Sequence, residues 1–263
     1  MSASRTLLKI ESLLLVFYAV LSFSILMIVL PFISLLMFCK PAVIESIFKY
    51  NNLRTELLTA LKNSLLAAFI STLILTIIGI PLGYVLARVD FRGKSLIEAL
   101  IDLPLVVPHP IVGVMLLVML GSRGLIPIGI EDTFWGIVAA MMFVSFPLLV
   151  DTVKLGFVMT DPMLEYVARS LGVSFTRTFF TISLPLCFRN IIAGALLAFA
   201  RALSEVGSLL ILATYPETVT VLIIKWFDIF GLYYAVAVSA LYLGIVFALF
   251  LILRILLRGI YHA

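Results

Sequence analysis

Charged residues are scarce in this sequence. Only 12% of its 263 residues are charged and 63% are hydrophobic, whereas a soluble globular protein has about a quarter charged and about half apolar residues. This composition excludes a soluble globule and predicts an all-α membrane protein with several spans. The net charge of +4 is then explained by membrane orientation, so no nucleic-acid partner is expected.

Residues that carry chemistry are scarce too. The two histidines and two cysteines do not fall together in the sequence, so no metal site is expected. Gly93-Lys94-Ser95 resembles the end of a phosphate-binding loop, but Arg88 stands where the first glycine is required. Paired carboxylates and nucleophile motifs are not evident either. We therefore expect no enzyme activity and no cofactor in this chain.

Long charge-free intervals define the predicted membrane spans, because a helix needs roughly 20 apolar residues to cross a bilayer. The first interval is too long for a signal peptide, whose apolar core is about 7–15 residues, and predicts an uncleaved helix. Six spans are predicted, the fifth interrupted only by Arg201 and Glu205: residues 12–39, 63–87, 103–122, 133–150, 190–216 and 229–253.

Basic residues predict the orientation of the chain. Six spans place both termini on one side, and a cytoplasmic assignment puts eleven of the eighteen Lys and Arg residues inside and six outside, with Arg201 in the fifth span. Cytoplasmic loops are enriched in such residues. The sequence therefore predicts a multi-pass plasma-membrane protein with cytoplasmic termini. Cys39 and Cys187 then lie at opposite faces and cannot form a disulfide.

The longest polar interval in the second half lies between the fourth and fifth spans. Asp161 followed by Pro162 is a helix start, Gly172 is a stop, and Ser174 can cap a second short helix. Glu165 lies away from the apolar positions, which share one face: Leu164, Val167, Ala168 and Leu171. Two short helices joined at a glycine are suited to a groove on another protein.

In this connection, Gly172 is followed after nine residues by Ile182-Ser183-Leu184-Pro185. This spacing resembles the "EAA…G…I-x-L-P" cytoplasmic loop of binding-protein-dependent ABC importer permeases. The first half of that motif differs, with Tyr166 at its glutamate and Glu165 one residue earlier. Residues 102–109, 143–147 and 200–207 look like the molybdate/tungstate branch of that family. The resemblance implies a set of ATPase-coupling residues: Glu165, Tyr166, Val167, Ala168, Leu171, Gly172, Ile182, Leu184 and Pro185.

The same resemblance implies partners and a substrate. We expect two ATPase subunits that hold ATP and Mg, and an extracytoplasmic oxyanion-binding protein. The expected substrate is molybdate or tungstate, with sulfate or phosphate as the alternative. A homodimer in membrane lipid is expected because one chain contains no evident two-fold repeat. Residues 1–56 would form an N-terminal transmembrane helix and outer connection, and residues 57–258 the permease domain.

Three features indicate a translocation pathway. The third span is predicted to be broken at Pro108, His109 and Pro110, either as a gate for the pathway or as a static kink. His109 is expected to bond a freed carbonyl rather than substrate. Ser145 precedes a proline in the fourth span, where its hydroxyl can compensate the backbone locally. Further candidates lie in the fifth span: Arg201, Ser204 and Glu205.

Arg201 and Glu205 are spaced i, i+4 on one helix face and predict an ion pair. The pair either leaves the pathway without net charge or acts as a structural bridge. The rival function is an ATPase-independent channel or secondary transporter. Only Glu205 is a candidate for an intramembrane proton relay, and it already has Arg201 beside it.

Overall fold

The computed structural model describes the backbone of residues 2–262 and the side chains of residues 14–255, and its regular structure is entirely helical, as predicted. A π-helical turn, Phe179–Ser183, directly precedes the α-helix that begins at Leu184. The helices are α1 Ser2–Phe38, α2 Pro41–Lys49, α3 Asn51–Arg88, α4 Lys94–Val106, α5 His109–Leu120, α6 Phe134–Met159, α7 Met163–Ser170, α8 Phe175–Thr178, α9 Leu184–Leu203, α10 Leu209–Leu212, α11 Val219–Phe230 and α12 Leu232–His262.

Five helical stretches are long and apolar enough to cross a membrane, and α4 with α5 would supply a sixth span across a bend of 116°. The five are Leu14–Phe38, Asn51–Arg88, Phe134–Met159, Phe175–Leu203 and Leu232–Ile255. Pro108 stands at the bend, where it lacks an N–H and disfavours helical backbone at the preceding residue. The predicted break in the third span is therefore confirmed, but α4 begins at Lys94 rather than residue 103.

Several predicted span limits are wrong because charge-free intervals do not mark helix ends. The fifth span was predicted over residues 190–216, whereas its helix starts at Phe175 and ends at Leu203. The fourth continues beyond residue 150 to Met159. The sixth begins at Leu232, because Gly231, with φ +79°, separates α12 from α11.

Small residues let α3, α6 and α9 pack closely in the centre of the protein. A Cβ on Gly79 of α3 would lie 2.1 Å from Leu149 Cδ2 of α6, and one on Gly83 would lie 2.8 Å from Val153 Cγ1. Between α6 and α9, a Cβ on Gly156 would lie 2.6 Å from Cys187 Sγ. Close packing of this kind is what holds membrane helices together, since lipid tails supply no hydrophobic driving force between them.

The bundle has two ends, which we name after α7 and α11. At the α7 end, α3 and α6 finish together, and Arg88 Nη2 donates to the Thr160 carbonyl at 2.9 Å. At the α11 end, Trp226 of α11 packs with Leu57 of α3. Burial alone would lower the pKa of Lys225, but hydrogen bonds to Glu217 and Glu56 raise it. These contacts attach α11 to the start of α3.

Helix α1 lies against little of the described structure. None of its described side chains, from Leu14 to Phe38, is buried. It ends near the start of α12, where the Lys40 ammonium lies 3.5 Å from the centroid of the Tyr233 ring. Cys39 and Cys187 are both free, as predicted.

Candidate functional site

The connection around α7 has the predicted helix, glycine and helix. Asp161 Oδ1 accepts from the Met163 N–H at 2.9 Å, and Ser174 Oγ accepts from the Arg177 N–H at 3.4 Å. Gly172 is left-handed, with φ +84°. Its N–H donates to Arg169 O at 3.0 Å and the next N–H, of Val173, donates to Ala168 O at 3.1 Å, the two bonds of a Schellman motif.

The apolar side of α7 is left uncovered within the described structure. On that side Leu164 is 47% exposed, Val167 50% and Leu171 78%, whereas Ala168 is buried; Tyr166, on the opposite side of the helix, is 63% exposed. Further along the connection, Ile182 and Leu184 are half-buried and Pro185 is exposed. An exposed row of large apolar groups at a helix surface is typical of a contact with another protein.

Glu165 takes a different position from the exposed coupling candidates. It lies on the buried side of α7, where it is 7% exposed. Its Oε2 accepts from the Tyr84 hydroxyl at 2.8 Å and its Oε1 accepts from Arg88 Nε at 2.9 Å. Glu165 therefore connects α7 to α3 of the same chain, and the neighbouring Tyr166 is the one that faces outward.

A second group of polar residues lies where α9 ends and α5 begins, and we call it the Arg201 cluster: His109, Arg201, Ser204, Glu205 and Ser208. Glu205 is 1% exposed and accepts from the Ser208 N–H at 2.8 Å and hydroxyl at 2.7 Å. Arg201 Nη2 donates to Glu205 Oε2 at 3.1 Å, and Nη1 to Ser204 Oγ at 3.3 Å. The predicted ion pair is confirmed, although Glu205 lies beyond the end of α9.

His109 has a different partner from the expected carbonyl. Its Nε2 contacts Arg201 Nη2. A guanidinium group can only donate, so the imidazole is the acceptor in this contact. The imidazole thus links the start of α5 to the end of α9.

The backbones of the two helix breaks touch. A Cβ on Gly207 would lie 2.6 Å from His109 Cβ, and one on Gly113 would lie 2.5 Å from Ser208 O. The carbonyls freed where α9 ends are satisfied by side chains: Tyr242 donates to Leu203 O at 2.8 Å and Thr220 donates to Glu205 O at 2.6 Å. Such internal partners for freed carbonyls are what allows irregular backbone at membrane depth.

Ser145 does not join the Arg201 cluster. It is fully buried in α6, and its Oγ has no hydrogen-bond partner among the described residues. The expected local compensation is therefore wrong for Ser145. Thr152 donates to Leu148 O at 2.6 Å, which is not the carbonyl that Pro147 frees, that of Phe143. Pro108 and Pro110 are exposed beside the cluster, and within the cluster Ser204 is exposed.

Residues 79–261 match the family described as the binding-protein-dependent transport system inner membrane component. The chain belongs to this family. The match spans more than half of the chain and includes the α7 connection and the Arg201 cluster. It confirms the resemblance to importer permeases drawn from the segment between Gly172 and Pro185.

Individual permeases are similar over most of the chain. The molybdate/tungstate transport system permease protein WtpB of Pyrococcus abyssi is 49% identical over 195 residues, which are 74% of this chain and 76% of that protein. The permease of the same name from Methanocaldococcus jannaschii is 44% identical over 202 residues, 76% and 81% of the two chains. A probable sulfate transport system permease protein of Chlorokybus atmophyticus is 35% identical over 201 residues, 74% and 70%.

The fold is also similar to that of a solved transporter. The crystal structure of a bacterial ABC transporter involved in the import of the acidic polysaccharide alginate superimposes with a TM-score of 0.63 and 19% identity, covering 85% of this chain and 86% of that one. At this identity the likeness bears on the fold alone.

Several residues that fix the α7 connection and the Arg201 cluster of this inner membrane component in place were not predicted from the sequence. Tyr84 and Arg88 fix Glu165 from α3, and their distance along the chain left no local signal. Ser208 was detectable, since a serine three residues after a carboxylate can donate to it. Thr220 and Tyr242, which satisfy freed carbonyls, carried no such signal.

Proposed function

We propose that this chain is the transmembrane permease subunit of an ATP-driven importer for molybdate or tungstate. The observation that carries the proposal is its identity of 44–49% with molybdate/tungstate permeases over about three quarters of each chain. Sulfate is the alternative because a probable sulfate permease is 35% identical, and phosphate remains the second fallback. ATP hydrolysis belongs to a separate subunit.

The assembly we propose is a homodimer of this chain in lipid, with two ATPase subunits that hold ATP and Mg and an extracytoplasmic oxyanion-binding protein. The uncovered side of α7 supports an ATPase contact there. Both termini and the α7 end would then be cytoplasmic. The division between residues 1–56 and 57–258 stays a prediction.

Selectivity among oxyanions is assigned to the binding protein. Arg201 is paired with Glu205 and is also bonded to Ser204 and His109, so it offers little free charge for choosing one dianion over another. The test is uptake into proteoliposomes that contain the permease, its ATPase and the binding protein. Molybdate and tungstate should compete with labelled tungstate at concentrations where sulfate does not. Competition by sulfate at those concentrations would favour the sulfate alternative, and uptake of a sugar or amino acid would overturn the oxyanion assignment.

Arg201→Ala should reduce uptake without changing the order of preference among oxyanions. Removing one partner of a buried ion pair costs about 3–5 kcal/mol, and Glu205 at 1% exposure cannot be solvated instead. We expect uptake to fall at least about tenfold at equal protein level. Arg123→Ala, at an exposed arginine outside the cluster, is the control. An order of preference rewritten by Arg201→Ala would move selectivity into this chain.

Cysteine labelling tests the proposed orientation, in which Ile44 and Thr133 lie outside and residues 160–185 inside. In a background lacking Cys39 and Cys187, an impermeant reagent added to intact cells should label Glu45→Cys but not Ser174→Cys. Both positions are exposed, so access depends on the membrane alone. Permeabilised cells should show both labelled. Labelling at position 174 in intact cells would reverse the orientation.

A further inference from the structure

The described hydrogen bonds between α7 and α3 all involve one side chain of α7, Glu165. The backbone neighbours of α7 are α8 and the π-helical turn, and its covalent connection leads back to α6. The Glu165 carboxylate accepts two hydrogen bonds from α3, one from the Tyr84 hydroxyl and one from Arg88 Nε. The side chains of Arg88 and Glu165 are only 11% and 10% exposed, so water screens this ion pair weakly.

Tyr84 also joins four segments through its ring. The ring centroid lies 5.2 Å from that of Phe157 in α6, 5.9 Å from Phe175 in α8 and 5.1 Å from Phe179 in the π-helical turn, each in an edge-to-face arrangement. Such pairs are attractive because the positive ring edge meets the negative face. Tyr84 therefore holds the α7 connection both by its hydroxyl and by its ring.

Arg88 closes the same junction from the side of α6. Its Nε bonds Glu165 and its Nη2 bonds the Thr160 carbonyl, each at 2.9 Å. Thr160 caps the end of α6 and directly precedes the turn into α7. One guanidinium thus fixes α3, α6 and α7 at a single point, in the fixed fork geometry that lysine cannot reproduce.

Behind this junction, α3 and α6 are closely packed against each other. The side chains of Leu149 and Val153 occupy the space over Gly79 and Gly83. A displacement applied at the junction is therefore passed along both helices rather than absorbed between them.

We propose that Tyr84 and Arg88 are positioning residues for energy coupling: by holding Glu165 they lock α7 to α3, so that the ATPase moves α3 and α6 when it moves α7. The proposal rests on the function proposed above. It also explains why the acidic residue stands at Glu165, facing inward, while Tyr166 occupies the outward position.

A distance measurement tests the lock without any substrate. Spin labels at Val89→Cys, after α3, and Ser170→Cys, at the end of α7, are placed in a chain lacking Cys39 and Cys187 and reconstituted with its ATPase. We expect a narrow distance distribution that becomes at least about twofold broader in Glu165→Gln, since a hydrogen bond to a charged group is lost. An equally narrow distribution in Glu165→Gln would overturn the proposal.

Transport per ATP hydrolysed tests the consequence. In proteoliposomes, Glu165→Gln should lower molybdate uptake per ATP about tenfold, and Tyr84→Phe, which keeps the ring, should lower it less. Arg88→Lys should retain more of the ratio than Arg88→Gln. The control is Asp90→Asn, which breaks an exposed ion pair with Lys94 nearby and should leave the ratio unchanged.

The outcomes separate the lock from the proposed function. Uptake and hydrolysis that fall together, with their ratio constant, would make the residues merely structural and overturn the lock. If Glu165→Gln does not assemble with the ATPase, Tyr84→Phe decides by the same ratio. Wild-type proteoliposomes that take up no oxyanion would overturn the proposed function, and the spin-label distances would still decide the lock.

Discussion

Gly172→Val should abolish uptake while the chain still inserts into the membrane. Gly172 has φ +84°, and left-handed backbone costs a residue with a Cβ about 1–2 kcal/mol, more for a β-branched one. A Cβ at this position meets nothing within 4 Å, so the effect comes from the backbone alone. Losing this conformation breaks the Schellman bonds and misplaces α7. Uptake and binding-protein-stimulated ATP hydrolysis in the reconstituted complex are the measurements.

Two variants control for the size of the new side chain. Gly172→Asn should retain most of the activity, because asparagine tolerates the left-handed region. Gly244→Val places the same side chain in open space at ordinary helical φ and should leave uptake unchanged. Unchanged stimulation and uptake in Gly172→Val would remove this turn from the coupling role.

Gly79→Val should sharply reduce the amount of folded permease. A Cβ there would lie 2.1 Å from Leu149 Cδ2, and overpacking a well-packed interior costs about 1–3 kcal/mol or more. Leu149 would have to leave its rotamer in a packed interior, or α3 and α6 would have to separate around this point. The measurement is the apparent melting temperature in detergent, compared with that of Gly244→Val.

Combining Gly79→Val with Leu149→Ala gives an internal check. Leu149→Ala alone should also destabilise, by about 2–5 kcal/mol for a buried leucine. The double variant should lose less than the two single variants together, because the shorter side chain leaves room for the new one. Fully additive losses would mean that the two residues do not meet as the structure has them.

The α7 connection could be predicted because its signals are local. Asp161, Gly172 and Ser174 each act on backbone within three or four residues, so their effects do not depend on the rest of the fold. The burial of Glu165 could not be predicted in this way. Its partners lie 77 and 81 residues earlier, and helical periodicity does not reveal that the apolar side of α7 stays uncovered.

The Arg201 cluster shows the same division between local and distant contacts. The pairing of Arg201 with Glu205 followed from their spacing. Their contact with His109, 92 residues from Arg201, requires α5 to be packed against the break after α9. The predicted fifth span ran past Leu203 because the residues after this helix end are still largely apolar. A charge-free interval records composition and does not show where backbone hydrogen bonding ends.

ATP-dependent uptake of labelled tungstate tests the proposed function most directly. Proteoliposomes are prepared with the permease alone or with its ATPase, each with and without the loaded binding protein, and supplied with ATP or a non-hydrolysable analogue. We predict uptake only when the ATPase, the binding protein and hydrolysable ATP are all present. Uptake by the permease alone, driven by an ion gradient, would contradict this and establish a channel or secondary transporter instead.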